Sequence, residues 1–174
     1  EPWLGSRRNW WFSRALGLLN LRNGGRMRSL EGRFALVTGA GRGIGAATAR
    51  KLTSAGARVL LNDVDSDALE EAASGLDGAI VCQADLTESD AGDRIVATAL
   101  REFGGLDIVV NNAGYIWHSA IHNVTDEQWD AMFDIHVGAP FRVLRAYGRW
   151  LREHSAPASH VRKVVNISST SALH

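Results

Sequence analysis

The richest chemistry in this chain lies in an eight-residue run, TGAGRGIG, from Thr38 to Gly45. Gly39, Gly43 and Gly45 are spaced Gly-x3-Gly-x-Gly, behind the apolar run FALVT (34–38) and ahead of a helical pattern from Gly43 to about Ala55. Glycines let a backbone turn tightly and approach a pyrophosphate, and a helix N-terminus offers N–H groups to an anion. A strand before and a helix after favour a dinucleotide cradle over a plain glycine turn. Arg42 and Ile44, at the helix entrance, join the three glycines in that candidate site. No Gly-Lys-Ser/Thr follows, so a P-loop is excluded. Asp63 stands 18 residues past Gly45, at the end of the next apolar run. An acid there can accept hydrogen bonds from an adenosine ribose and would repel a 2′-phosphate, which predicts NAD over NADP. Arg42 is the counter-signal, since it could reach such a phosphate. The bland reading of Asp63 is a solvated residue in the turn NDVDSD, where Asp65 and Asp67 are read as helix-start charges.

A second candidate is the end of the chain, where the apolar run KVVNI (163–167) enters a hydroxyl-rich turn of Ser168, Ser169, Thr170 and Ser171. A third is His136, four residues before Pro140. Proline has no N–H, so the His136 carbonyl should lose its helical partner and the helix should kink. An imidazole there could also titrate near neutral pH, against the plainer reading of a histidine packed in a kink. His118 and His122 have metal-ligand spacing, but no glutamate accompanies them and their segment reads as a loop, so no metal site is assigned. Cys82 sits in AIVCQ (79–83) and reads as a small core residue.

These residues must be positioned by alternating elements. Short runs rich in β-branched residues at 34–38, 58–62, 79–83, 107–111 and 163–167 read as strands. Between them, helical patterns cover Gly43 to about Ala55, about 66–74, about 88–103 and about 125–153. Continuous apolar runs suit parallel strands buried on both faces, and strict alternation predicts a Rossmann-like, doubly wound parallel α/β sheet.

With 174 residues, 45% hydrophobic and 22% charged, one domain with a real core is expected. Nineteen basic residues balance nineteen acidic ones, so nothing points to nucleic acid. No apolar run reaches the roughly 18 residues of a membrane span. One cysteine fits a reducing cytosol, so a cytoplasmic location is expected. Residues 1–26 differ from the rest: three tryptophans, five arginines and one acid precede Met27. A targeting segment, an amphipathic surface helix and sequence upstream of a true start at Met27 are the competing readings. The third is preferred, which makes 1–26 an extension outside the fold and 27–174 the dinucleotide-binding domain.

TGAGRGIG, Asp85-Leu86 after the third strand, NNAG (Asn111 to Gly114) and NISS (Asn166 to Ser169) occur in the order found in the short-chain dehydrogenase/reductase family, which the stretch from about Leu30 to His174 resembles. The resemblance extends to members acting on acyl thioesters, such as 3-oxoacyl-(acyl-carrier-protein) reductases. It implies a sheet with the strand order 3-2-1-4-5, and hydride transfer between NAD(H) and a small-molecule alcohol/carbonyl substrate. It places Asp85 and Leu86 at the adenine, and Asn112, Ala113 and Gly114 beside the cofactor. It makes Ser169 the catalytic serine and puts His136 where the family has a catalytic asparagine, which acts through its main-chain carbonyl on a relay water. It also implies a homo-oligomer paired through the helix at about 125–153, with Trp129, Phe141, Arg145 and Trp150 facing the partner. The family's Tyr-x-x-x-Lys should follow Ser169 by about a dozen residues. Neither tyrosine, Tyr115 or Tyr147, has lysine four residues on. The expectation is therefore a cofactor-binding part that stops short of the catalytic pair. The alternative is a non-catalytic dinucleotide-binding module or inactive subunit.

Overall fold

The computed structural model describes residues 30–154 and 160–169. The tryptophan-rich segment 1–26 and the hydroxyls of Thr170 and Ser171 lie outside the described residues. Five parallel strands form one sheet: β1 (Phe34–Thr38), β2 (Arg58–Asp63), β3 (Ile80–Gln83), β4 (Ile108–Asn111) and β5 (Lys163–Asn166). Their order is β3-β2-β1-β4-β5, as the family resemblance implies. Between them run α1 (Gly43–Ser54), α2 (Ser66–Ala73) and α3 (Ala91–Phe103), and after β4 come α4 (Asp126–Phe133) and α5 (Ala139–Glu153).

The three inner strands, β2, β1 and β4, are buried on both faces, because side chains alternate along each strand. Leu36, Leu60 and Val109 point to one side, where they pack with Ile95 and Ala99 of α3 and with Val143 and Tyr147 of α5. Ala35, Val37, Val59, Leu61, Ile108 and Val110 point to the other side, against Ala46, Ala49 and Leu52 of α1 and Leu69 of α2. The helices on the first side approach closely because Gly92 has no side chain: a Cβ there would stand 2.5 Å from the Arg142 carbonyl carbon. Tyr147 fixes α5 to the sheet by donating its hydroxyl to the Leu106 carbonyl at 2.9 Å. Burial pushes its phenol up to about 12.

The helical pattern at 125–153 departs from expectation. It is not one α-helix with a simple break. Thr125 and Gln128 close a capping box that starts α4. A π-helical segment, Asp134–Gly138, then joins α4 to α5, with the Ala139 N–H donated to the Asp134 carbonyl. Pro140 falls in the first turn of α5, where its missing N–H is tolerated. The widened turn lies where Pro140 is expected to disturb the helix. Trp150 is half-buried and stacked on Tyr147, with the Arg162 guanidinium over its ring at 5.0 Å from the centroid. No helix among the described residues is long and apolar enough to cross a membrane.

Candidate functional site

The sheet's topological switch point lies between β1 and β4, whose neighbours run outward in opposite directions. Ligands of open α/β sheets bind at the carboxyl ends of the strands at that point. The sequence candidates gather there. The loop from Gly39 leaves β1, Asp63 ends β2, Asn111 ends β4, and Ser169 stands exposed three residues beyond β5.

Two close approaches shape the glycine loop. A Cβ on Gly45 would meet the Gly39 carbonyl oxygen at 2.1 Å and the Asn112 amide nitrogen at 2.6 Å. Only glycine allows α1 to start this close to β1 and β4. Gly43 has φ +57 and open space beside it. Arg42, Gly43 and Ile44 are exposed around the start of α1. That start has no side-chain cap and no acid in its first turn. By contrast, α2 is capped by Asp65 and α4 by Thr125. The uncapped N-terminus and the side-chain-free approach fit a pyrophosphate.

Asn112 braces this loop from β4. Its amide donates to the carbonyls of Thr38 at 2.9 Å and Gly39 at 3.0 Å. The Thr38 hydroxyl accepts the N–H groups of Asn112 and Ala113, each at 3.0 Å. Thr38 is the residue that sequence reasoning passes over. Its signal is a hydroxyl at the end of an otherwise apolar buried strand. Ala113 is half-buried behind the loop, and Gly114 is exposed beside it.

At the end of β2, Asp63 and the turn after it stand beside the glycine loop. Asp63 accepts the Gly41 N–H at 3.0 Å on one carboxylate oxygen, and the Val64 N–H at 2.8 Å on the other. Asp65 caps α2 by accepting the Ala68 N–H at 3.0 Å, and it also binds the Arg42 guanidinium. The Ala68 N–H, and after it the Arg42 charge, hold the Asp65 carboxyl below the ordinary carboxylate value. Asp85 stands exposed two residues past β3, with an oxygen accepting from the Thr87 N–H at 2.9 Å and hydroxyl at 2.7 Å. Leu86 is buried, and its carbonyl accepts from Arg142 at 3.0 Å.

His136 lies in the π segment and turns toward the NNAG loop. Its Nε2 is 2.8 Å from the Tyr115 carbonyl oxygen. A Cβ on Gly114 would meet the ring at 2.5 Å, so Gly114 makes room for the imidazole. The structure thus brings His136 to Gly114 and Tyr115, and Arg42 to Asp65. His118 lies in the loop after β4 and His122 in a short 3-10 turn, so no shared helix face joins them.

A family model described as short chain dehydrogenase matches residues 33–174. An uncharacterized oxidoreductase of Mycobacterium bovis is 36% identical over 145 residues, covering 82% of this chain and 57% of that protein. A rhamnolipids biosynthesis 3-oxoacyl-(acyl-carrier-protein) reductase of Pseudomonas aeruginosa is 40% identical over 149 residues, covering 83% and 57%. Among solved structures, a Pseudomonas aeruginosa RhlG/NADP active-site complex superposes with TM-score 0.77 at 34% identity, covering 84% of this chain and 58% of that one. The chain spans somewhat over half the length of the relatives it matches.

Proposed function

Since the chain belongs to the short-chain dehydrogenase family, we propose that it is the cofactor-binding part of an oxidoreductase that moves hydride between a nicotinamide dinucleotide and an alcohol/carbonyl substrate. The observation that carries this reading is the start of α1, exposed and uncapped beside the side-chain-free approach of Gly43 and Gly45. The pyrophosphate would lie there, held by N–H groups of the loop and of α1. When bound, the dinucleotide supplies the hydride chemistry, and the protein's own residues orient it and handle the proton. Asp85 and Leu86 would border the adenine, and Ala113 and Gly114 the cofactor's reacting half, with Asn112 and Thr38 holding the loops in register. Ser169 would hydrogen-bond the substrate oxygen. His136 would act beside it, through its carbonyl in the π segment or through an imidazole already anchored on Tyr115. A 3-oxoacyl or 3-hydroxyacyl thioester is the first substrate class to test, given the reductase named among its relatives.

NAD is our reading of the cofactor. Two carboxylates, Asp63 and Asp65, flank the adenosine side against one cation, Arg42. A 2′-phosphate would enter a region of net negative charge. The NADP complex among the solved relatives points the other way, which makes the comparison decisive. Titration of NAD⁺ and NADP⁺ by fluorescence should show tighter NAD⁺ binding. Asp63→Asn should narrow the difference. Tighter NADP⁺ binding by the unmutated chain would overturn the assignment.

One observation favours the second reading, a dinucleotide-binding module without turnover: the Tyr147 hydroxyl is buried on the Leu106 carbonyl. The two readings separate on one assay. The module binds dinucleotide but gives no steady NADH production with alcohols or hydroxyacyl thioesters. We also propose self-association through α4, the π segment and α5. Trp129, Phe133, Val137 and Phe141 line an apolar groove there and are each at least half exposed.

A further inference from the structure

We propose that Asp65 sets the choice between the two nicotinamide dinucleotides by neutralising Arg42, the only charged side chain of the glycine loop. The proposal rests on the dinucleotide reading of the site. Its geometry has three parts. First, Asp63 is fixed. Its two oxygens accept the N–H groups of Gly41, Val64 and Asp65 at 3.0, 2.8 and 3.3 Å. A carboxylate held at both oxygens cannot swing away from an incoming phosphate. Second, Asp65 is fixed as well, because one oxygen caps α2 through the Ala68 N–H while the other binds Arg42. It cannot follow Arg42 elsewhere without uncapping the helix. Third, Arg42 is an exposed side chain paired with Asp65. To meet a 2′-phosphate it must either leave Asp65 or bring the phosphate beside two carboxylates.

The charge balance then decides the outcome. A phosphomonoester carries about −1.5 to −2 charges at neutral pH. It would meet one cation and two anions in the protein as it stands. Removing the charge of Asp65 leaves one of each and releases Arg42 for a bidentate contact. Solvent screening keeps the effect moderate, since the pair is exposed.

Asparagine caps helices about as well as aspartate, so Asp65→Asn separates charge from capping. The experiment measures NAD⁺ and NADP⁺ dissociation constants for the full chain, D65N, R42Q and the double variant. D65N should tighten NADP⁺ about fivefold to tenfold and leave NAD⁺ within about twofold, a scale set by a screened surface charge. Adding R42Q should abolish that gain, which is the coupling a double-mutant cycle isolates. Asp65→Ser, a second good cap without charge, should behave as D65N does, and thermal melts should show α2 intact in both. An unchanged NADP⁺/NAD⁺ ratio in D65N and D65S, or a gain that survives R42Q, would overturn the role of Asp65 while leaving the site reading in place. If neither dinucleotide binds the unmutated chain, the site reading fails and the proposal fails with it.

Discussion

β1 and β5 are both short parallel strands built around apolar residues, Ala35, Leu36 and Val37 in one and Val164 and Val165 in the other, yet they end in different surroundings. Four of the five residues of β1 are buried, and its last residue, Thr38, joins a closed network with Asn112 and Ala113. No residue of β5 is fully buried, and among the described residues β5 pairs only with β4. The helices repeat the contrast. α1 buries Gly45, Ala46, Ala49 and Leu52, whereas α4 buries none of its residues. A β-branched run makes a strand, but burial needs a neighbour on each edge and a layer on each face. The β1–β2 half has all of these. The α4–β5 half has an open apolar groove instead.

This contrast predicts where substitutions matter. The largest effect should come from Gly45→Ala, because the new methyl would overlap the Gly39 carbonyl and the Asn112 amide, neither of which can retreat. We expect a loss of about 3 kcal/mol or more, with dinucleotide binding abolished. Gly43→Ala, two residues away in open space, should cost only the left-handed backbone penalty, about 1–2 kcal/mol. Denaturant unfolding of the two variants checks the comparison, and equal losses would mean the loop is not closed as described.

A middling effect is expected at Tyr147, which anchors the open half to the sheet. Its phenol is pushed up to about 12, above the ordinary value near 10, so the folded state favours the neutral form. That contribution is complete below pH 10 and is lost as pH rises from 10 toward 12. Tyr147→Phe should lower stability at neutral pH by about 1 kcal/mol, the net worth of one hydrogen bond. It should also flatten the alkaline decline. A melting curve of Tyr147→Phe as steep above pH 10 as the parent's would show that another group governs it.

The smallest effect on stability should come from the groove. Replacing Phe133 and Phe141 by serine removes exposed rings and should change the folding free energy by less than about 0.5 kcal/mol at each site. The same double change should shift the mass seen by light scattering toward a single chain. An unchanged mass, or a large loss of stability, would mean the groove is neither an interface nor open.

Much of this was legible beforehand. Each strand run appears within a residue or two, because β-branched runs bounded by glycine and aspartate carry a local preference that the sheet confirms. The Asp65 helix start was readable for the same reason, since capping depends on residues next to each other in sequence. The π segment was not. Pro140 announces a lost hydrogen bond, but whether the helix breaks or widens depends on what lies against it, here Gly114 under the His136 ring and Arg142 reaching Asp134 and Leu86.

The sequence by itself determined the order of elements, the glycine loop and the acid after β2, because these rest on spacing and on backbone rules that act locally. Only the tertiary structure decided what the polar groups hold. Arg42 and Asp65 are 23 residues apart and meet because β1 and β2 lie side by side. Thr38 and Asn112 are 74 residues apart and meet because β1 also borders β4. A side chain's partner is set by which strand ends share an edge of the sheet, and that adjacency appears only once the crossovers are made.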